Sequence, residues 1–118
     1  MLKIGTDITT ISRIAKLCEK YGDKFLRRIL CKSERTIFVS NESIAGVFAG
    51  KEAFSKALGT GIGAEFSFKD VKVYKDKFGA PHFKIRKKIK QKFKIKNATL
   101  SISHDSGIAI AFVALVLK

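Results

Sequence analysis

Glu52 and Lys56 stand four residues apart in the stretch GKEAFSKALGTG, residues 50–61, and the triplet Gly59-Thr60-Gly61 follows at once. On a helix that spacing sets the carboxylate and the ammonium on one side, one turn apart. They form there either an ordinary exposed ion pair or two arms of a site for a phosphorylated ligand. The glycines are a helix stop on the first reading and, on the second, a segment over which backbone amides approach a ligand closely. Because they follow the helix, they are neither a Walker loop nor a dinucleotide-binding turn, both of which use a helix N-terminus. Asp7 in IGTDI and His104 in SISHD are the other side chains suited to ligating a metal, moving a proton or holding a phosphate. Taken singly, each also fits a quieter place, Asp7 at a strand end and His104 beside a turn.

The elements that must position these groups follow from periodicity. Leu2, Ile4, Thr6 and Ile8 alternate with Lys3, Gly5 and Asp7, the period of a half-buried strand over 2–8, so Asp7 points away from the Leu2/Ile4 face. Ile11, Ile14, Leu17, Cys18 and Tyr21 have helical spacing, with Thr10 as N-cap and Gly22 as stop. A short helix starts at Asp23 and turns Phe25, Leu26, Ile29 and Leu30 inward. Ser33, with Glu34 behind it, opens another short helical piece, and Asn41 or Ser43 caps a longer helix running to Leu58. Its apolar face is Ile44, Val47, Phe48 and Leu58, widened by Phe54, with Glu52 and Lys56 flanking it. Strands then follow at Phe66 and Phe68, at Val71 and Val73, and, after a turn at Asp76-Lys77-Phe78-Gly79, through His82 to Ile85. A basic helix at 86–94 precedes strands near 98–104 and 107–117, joined by the turn Asp105-Ser106-Gly107. The order β-α-α-α-β-β-α-β-β, with two hairpins, predicts an α+β fold with a mainly antiparallel sheet in a single domain, residues 1–118.

Composition narrows the partners. Among 24 basic residues, 19 are lysine and five arginine, against ten acidic ones, for a net charge of +14. Readers of base sequence lean on bidentate arginine, so the lysine bias points to general attraction toward phosphate or carboxylate and an acidic partner. The start MLKIGTDI lacks a charged leader and an apolar stretch of signal-peptide length, so a cytoplasmic protein is expected. The longest apolar run, Ile108 to Leu117, is half of the roughly 20 residues a membrane helix needs and reads as a buried strand. Cys18 and Cys31 have no CxxC spacing and read as buried free thiols, with no zinc and no disulfide.

Three segments together resemble one family. IGTDI at 4–8 with Arg13 five residues beyond Ile8, FAGKEAFSKALGTGIG at 48–63 and SISHD at 101–105 are similar to the bacterial holo-[acyl-carrier-protein] synthases, the small members of the 4'-phosphopantetheinyl transferase superfamily. The likeness spans almost the whole chain, with the segments in the family's order and at about its spacing. It implies transfer of 4'-phosphopantetheine from coenzyme A to a serine of apo acyl carrier protein, leaving adenosine 3',5'-bisphosphate, in fatty acid biosynthesis. It implies Mg²⁺ on Asp7 and Glu52, Lys56 on a phosphate, and Gly59, Thr60, Gly61, Ser103 and His104 along the coenzyme site. It leaves the serine proton to a water oriented by Glu52 or Asp7, with His104 as the second candidate. The basic row Arg13, Lys16, Lys20, Lys24 and Arg28 matches where the family docks its acidic carrier, and a homotrimer with clefts between subunits is implied as well.

The chain departs from the family pattern in two places. Many relatives read GRFAAKE where this chain reads GVFAGKE, so Val47 replaces an arginine that helps bind the coenzyme and Gly50 replaces an alanine. The displaced phosphate contact is expected at Lys51 or on a neighbouring subunit's lysines. The segment between Glu34 and Ile44 is also shorter than in some relatives. A nucleic-acid-binding module is the competing reading, because residues 84–96, KIRKKIKQKFKIK, hold eight basic residues, no acid and an interleaved Phe93. Ile85, Ile89 and Phe93 recur every four residues, however, which is the pattern of an amphipathic helix with lysines outward. A noncatalytic trimeric relative binding coenzyme A or carrier is the third reading. It is disfavoured because the candidate metal ligands and Lys56 are all present.

Overall fold

The computed structural model describes residues 1–118 and is organised around one long helix. In chain order the elements are β1 (Leu2–Thr10), α1 (Ile11–Tyr21), α2 (Asp23–Ile29), α3 (Lys32–Ile37), α4 (Asn41–Leu58), β2 (Val71–Lys75), β3 (Pro81–Ile85), α5 (Lys87–Lys92), β4 (Ile95–Asp105) and β5 (Ile108–Leu117). Four helices, not three, precede β2, because the piece near Ser33 is a separate helix. The cap of α4 is Ser40, whose hydroxyl oxygen accepts the Ser43 N–H at 3.1 Å, rather than Asn41 or Ser43. Gly59, at φ 87°, ends α4 in the left-handed conformation that glycine adopts without strain.

β1, β5 and β4 form an antiparallel sheet in that order, and β2 pairs with β3 in a separate antiparallel hairpin. The turn between β4 and β5 has Ser106 and Gly107 both at positive φ, the conformation of a tight hairpin turn. α4 lies across the inner face of the three-stranded sheet, and most of its residues are buried. Its neighbours are admitted by missing side chains. A Cβ on Gly5 would lie 2.0 Å from the Ala53 carbonyl oxygen and 2.6 Å from the Ala57 nitrogen. On the helix side, a Cβ on Gly46 would meet Ile102 at 2.9 Å, and the helix-weakening Gly50 sits where a Cβ would meet Leu100 at 3.3 Å.

That approach reverses the expected face of β1. Gly5 and Thr9 turn inward against α4, whereas Leu2 (65% exposed), Ile4 (59%) and Ile8 lie outside beside Ile110 and Phe112 of β5. A small face facing a helix backbone buries more closely than a bulky one, so the apolar row of β1 is left for another surface to cover. No strand forms at Phe66 and Phe68. Phe68 begins a 3₁₀ turn, and the two rings stack on Phe54 (5.1 Å between centroids) and Phe48 (5.3 Å), respectively, as plugs of the core. Of the basic segment only 87–92 form a helix, α5, with Ile89 buried; half-buried Ile85 ends β3 and half-buried Phe93 caps α5, so the three do not share one helix face, while Arg86 pairs with Asp70 and Lys92 with Glu65. Cys18 and Cys31 are free and half-buried rather than fully buried. No helix is long and apolar enough to cross a membrane.

The glycine contacts differ in what they touch, and so in what substitution costs. Gly5→Ala drives a methyl into rigid backbone and is expected to cost at least about 3 kcal/mol. Gly50→Ala meets only the ends of the Leu100 and Ile102 side chains and gains about 1 kcal/mol of helix propensity, leaving stability within about 1 kcal/mol of wild type. Urea unfolding of both variants measures the difference.

Candidate active site

Asp7 is on the inward face of β1, one pleat repeat beyond Gly5, and Glu52 and Lys56 each precede one of the two α4 residues that Gly5 touches. The Gly5 contact therefore sets the strand residue beside the two helix residues. Lys56 does not pair with Glu52, its partner one turn earlier. Its Nζ donates instead to Asp7 Oδ1 at 3.0 Å, while Asp7 Oδ2 accepts the Thr9 hydroxyl at 2.8 Å. The Asp7 side chain is 13% exposed and that of Lys56 52%.

Glu52 is left with no hydrogen bond or ion pair for its carboxylate. Burial, and next the negative charge of Asp7, push its carboxyl pKa above the ordinary value, against the lesser pull of Lys56 and Arg13. The negative charge of Asp7 thus makes Glu52 costlier to ionise, and the one nearby lysine bonds to Asp7 alone. Hard oxygen donors in that arrangement suit a small divalent cation that takes its remaining ligands from water and phosphate. No third histidine, cysteine or acidic residue joins them.

Glu52 also lines a groove of about 610 Å³. Its floor is apolar, with Phe25, Phe48, Ile62 and Phe68, and Arg13, Lys24 and Arg28 stand on its rim. The Arg13 guanidinium lies 5.5 Å from the centre of the Phe48 ring. Lys16 and Lys20 continue this basic surface along α1 beside Arg13. All five residues of the row are exposed.

Other expected site residues fall elsewhere. Lys51 is wholly buried, so it cannot be the replacement phosphate contact. Its ammonium donates to Glu34 Oε1 and to the Ile29 carbonyl, both at 2.8 Å. Burial lowers its pKa and the Glu34 charge pulls it back. Val47 is buried too and offers no polar substitute for the arginine. The N–H groups of Gly59, Thr60 and Gly61 all donate to the Ser55 carbonyl, at 3.1–3.2 Å, so they close the helix rather than present free donors. Ser103 and His104 lie on β4, which β5 separates from β1. Two strand spacings, about 9–10 Å, therefore lie between their backbone and that of Asp7 within one chain.

Two residues were missed from sequence. Glu34 is buried and satisfies the Cys31 N–H, the Val73 N–H and Lys51, joining α3, β2 and α4. Thr9 was not singled out, although period two alone puts it on the Asp7 side of the strand.

Residues 3–113 match the model of the 4'-phosphopantetheinyl transferase superfamily. A holo-[acyl-carrier-protein] synthase of Aliarcobacter butzleri is 51% identical over 115 residues, 98% of each chain. The crystal structure of a Helicobacter pylori holo-[acyl-carrier-protein] synthase in complex with coenzyme A matches with a TM-score of 0.94 and 46% identity, covering 96% of this chain and 99% of that one. A Bacillus anthracis holo-(acyl-carrier-protein) synthase in complex with CoA (3',5'-ADP) matches at 0.84 and 39% identity, covering 98% and 96%. The chain belongs to the 4'-phosphopantetheinyl transferase superfamily and, within it, to the holo-[acyl-carrier-protein] synthase family.

The raised pKa of Glu52 makes a signed prediction. A group whose pKa is raised on folding stabilises below its unfolded value, about 4.3, and loses that contribution as pH rises through the folded value. In metal-free buffer, Glu52→Gln is therefore expected to melt above wild type at neutral pH, with the gap closing below pH about 4. Thermal melts across this range test it. Lys51→Met strands a buried carboxylate and is expected to cost about 3–5 kcal/mol, with partial recovery on adding Glu34→Gln, as read by urea unfolding.

Proposed function

We propose that this protein transfers the 4'-phosphopantetheine group of coenzyme A to a serine of apo acyl carrier protein, releasing adenosine 3',5'-bisphosphate, with Mg²⁺ held by Asp7 and Glu52. The observation that carries this reading is the meeting of those carboxylates with Lys56 beside a groove with a basic rim. The coenzyme complexes of the Helicobacter and Bacillus relatives support the donor. When bound, the ion neutralises the diphosphate oxygens and makes the phosphorus easier to attack.

The chain's own residues do the rest. The serine oxygen bonds to the phosphorus bearing the pantetheine arm, and the bond from that phosphorus to the bridging oxygen breaks. Its electron pair leaves on adenosine 3',5'-bisphosphate. Lys56, half-exposed on a long stem, leaves Asp7 and neutralises the phosphate under attack or the one departing. The serine proton passes to a water oriented by Glu52 or Asp7, with His104 as the second candidate. Gly59, Thr60 and Gly61 line the coenzyme through their shape, since a Cβ on either glycine would meet nothing within 4 Å.

Arg13, Lys16, Lys20, Lys24 and Arg28 receive the acidic carrier, whose encounter they steer. We assign the assembly as a homotrimer. The exposed apolar row Leu2, Ile4, Ile8, Ile110 and Phe112 is a face that subunit packing would cover. Ser103 and His104, remote from Asp7 in their own chain, would serve the coenzyme of a neighbouring subunit. Residues 1–118 act as one transferase domain, in the cytoplasm and in fatty acid biosynthesis.

Incubating the protein with apo carrier, coenzyme A and Mg²⁺ and weighing the carrier tests the reading. A mass gain of one phosphopantetheine is expected, and its loss with Asp7→Ala. An unmodified carrier with the wild-type protein overturns the assignment. Arg28→Glu is expected to raise KM for the carrier about fivefold or more at low salt, with a smaller effect at high salt. Steady-state kinetics at both ionic strengths measure it.

A further inference from the structure

We propose that Thr9 is the positioning residue for Asp7, fixing one carboxylate oxygen permanently so that the other is exchanged between Lys56 and the divalent cation. The inference rests on the metal-dependent reading of the site. Asp7 has different partners on its two oxygens. Oδ2 accepts from Thr9 Oγ1 at 2.8 Å and Oδ1 from Lys56 Nζ at 3.0 Å. Thr9 is 1% exposed, sits on a paired strand opposite Ala109 and has a β-branched side chain with few rotamers. Its hydroxyl cannot leave without abandoning a buried donor. Lys56 is half-exposed on a four-carbon stem and can swing away.

The asymmetry has a chemical consequence. An ionised carboxylate offers about four acceptor directions, and a carboxyl free to rotate would present any of them to an ion. With Thr9 on Oδ2 the plane of the group is set before any ligand arrives, and Oδ1 is the oxygen directed at Lys56. Lys56 then keeps Oδ1 neutralised in the metal-free protein and gives it up when a cation takes its place. Glu52 has no such partner, so the preorganised ligand of the pair is Asp7.

Thr9→Val removes the donor and keeps the shape, whereas Thr9→Ser keeps the donor. Mn²⁺ binding, followed by electron paramagnetic resonance of the free ion without coenzyme, is expected to weaken about tenfold or more in Thr9→Val and to stay within about twofold of wild type in Thr9→Ser. The Mg²⁺ concentration for half-maximal rate should rise by the same factor in Thr9→Val, with kcat recovered at saturating Mg²⁺. Mn²⁺ binding by a folded Thr9→Val protein with wild-type affinity overturns the proposal, even if its melting temperature has dropped, because a purely structural hydroxyl predicts that result. Should Thr9→Val not fold, Thr9→Ala carries the same comparison. Wild-type protein that binds no Mn²⁺, or Asp7→Asn that binds it normally, sinks the metal-site reading instead.

Discussion

The close approach of Gly5 to the backbone of α4 is the constraint on which the site depends. A strand residue with any side chain would hold β1 away from the helix, and Asp7 would then lie too far from Glu52 and Lys56 to share a charge with them. The same helix admits β4 at Gly46 and Gly50, so two strands close on α4 through missing atoms. Propensity is surrendered at the two helix glycines. What is gained is a register between strand and helix set by hard contact rather than by flexible side chains.

The electrostatics follow from that register. Two carboxylates and one lysine share a partly buried site, and the lysine satisfies the acid across the gap instead of the one on its own helix. Glu52 carries the resulting imbalance, an unpaired acid in a poorly solvated place. Structural interactions normally remove such imbalances, and their persistence beside a groove is what the proposed ligand site requires. Elsewhere the protein shows the opposite behaviour, since Glu34 has each of its oxygens satisfied by buried donors.

Much of this was legible in the sequence, for identifiable reasons. The 105–107 and 76–79 turns were visible because glycine and aspartate mark them chemically, and α1 and α4 because their apolar spacing runs over several turns, whereas the six-residue α3 was not counted as an element of its own. Asp7, Glu52 and Lys56 were legible as a motif, but not the exchange of partners among them, because helical spacing predicts the nearest ion pair and knows nothing of a strand crossing above. The buried face of β1 was misread since the rule that apolar residues turn inward fails where a helix backbone demands glycine and where a second surface waits on the other side. Phe66 and Phe68 mimicked a strand because period two also arises when two rings of one loop plug separate parts of the core. Lys51 stood as one of two candidates for the phosphate contact because nothing local to a lysine announces that an acid 17 residues earlier will enclose it.

Lys51 and Glu52 are consecutive, and side chains of adjacent helical residues diverge by about 100°. One is clamped in the interior and the other faces the groove. Any roll of α4 about its own axis that swung Glu52 toward bulk solvent would have to drag an ammonium out of its enclosure. The buried pair thus acts as an azimuthal stop: the bearing of the Glu52 carboxylate is governed from another flank of the helix, by atoms that do not line the groove.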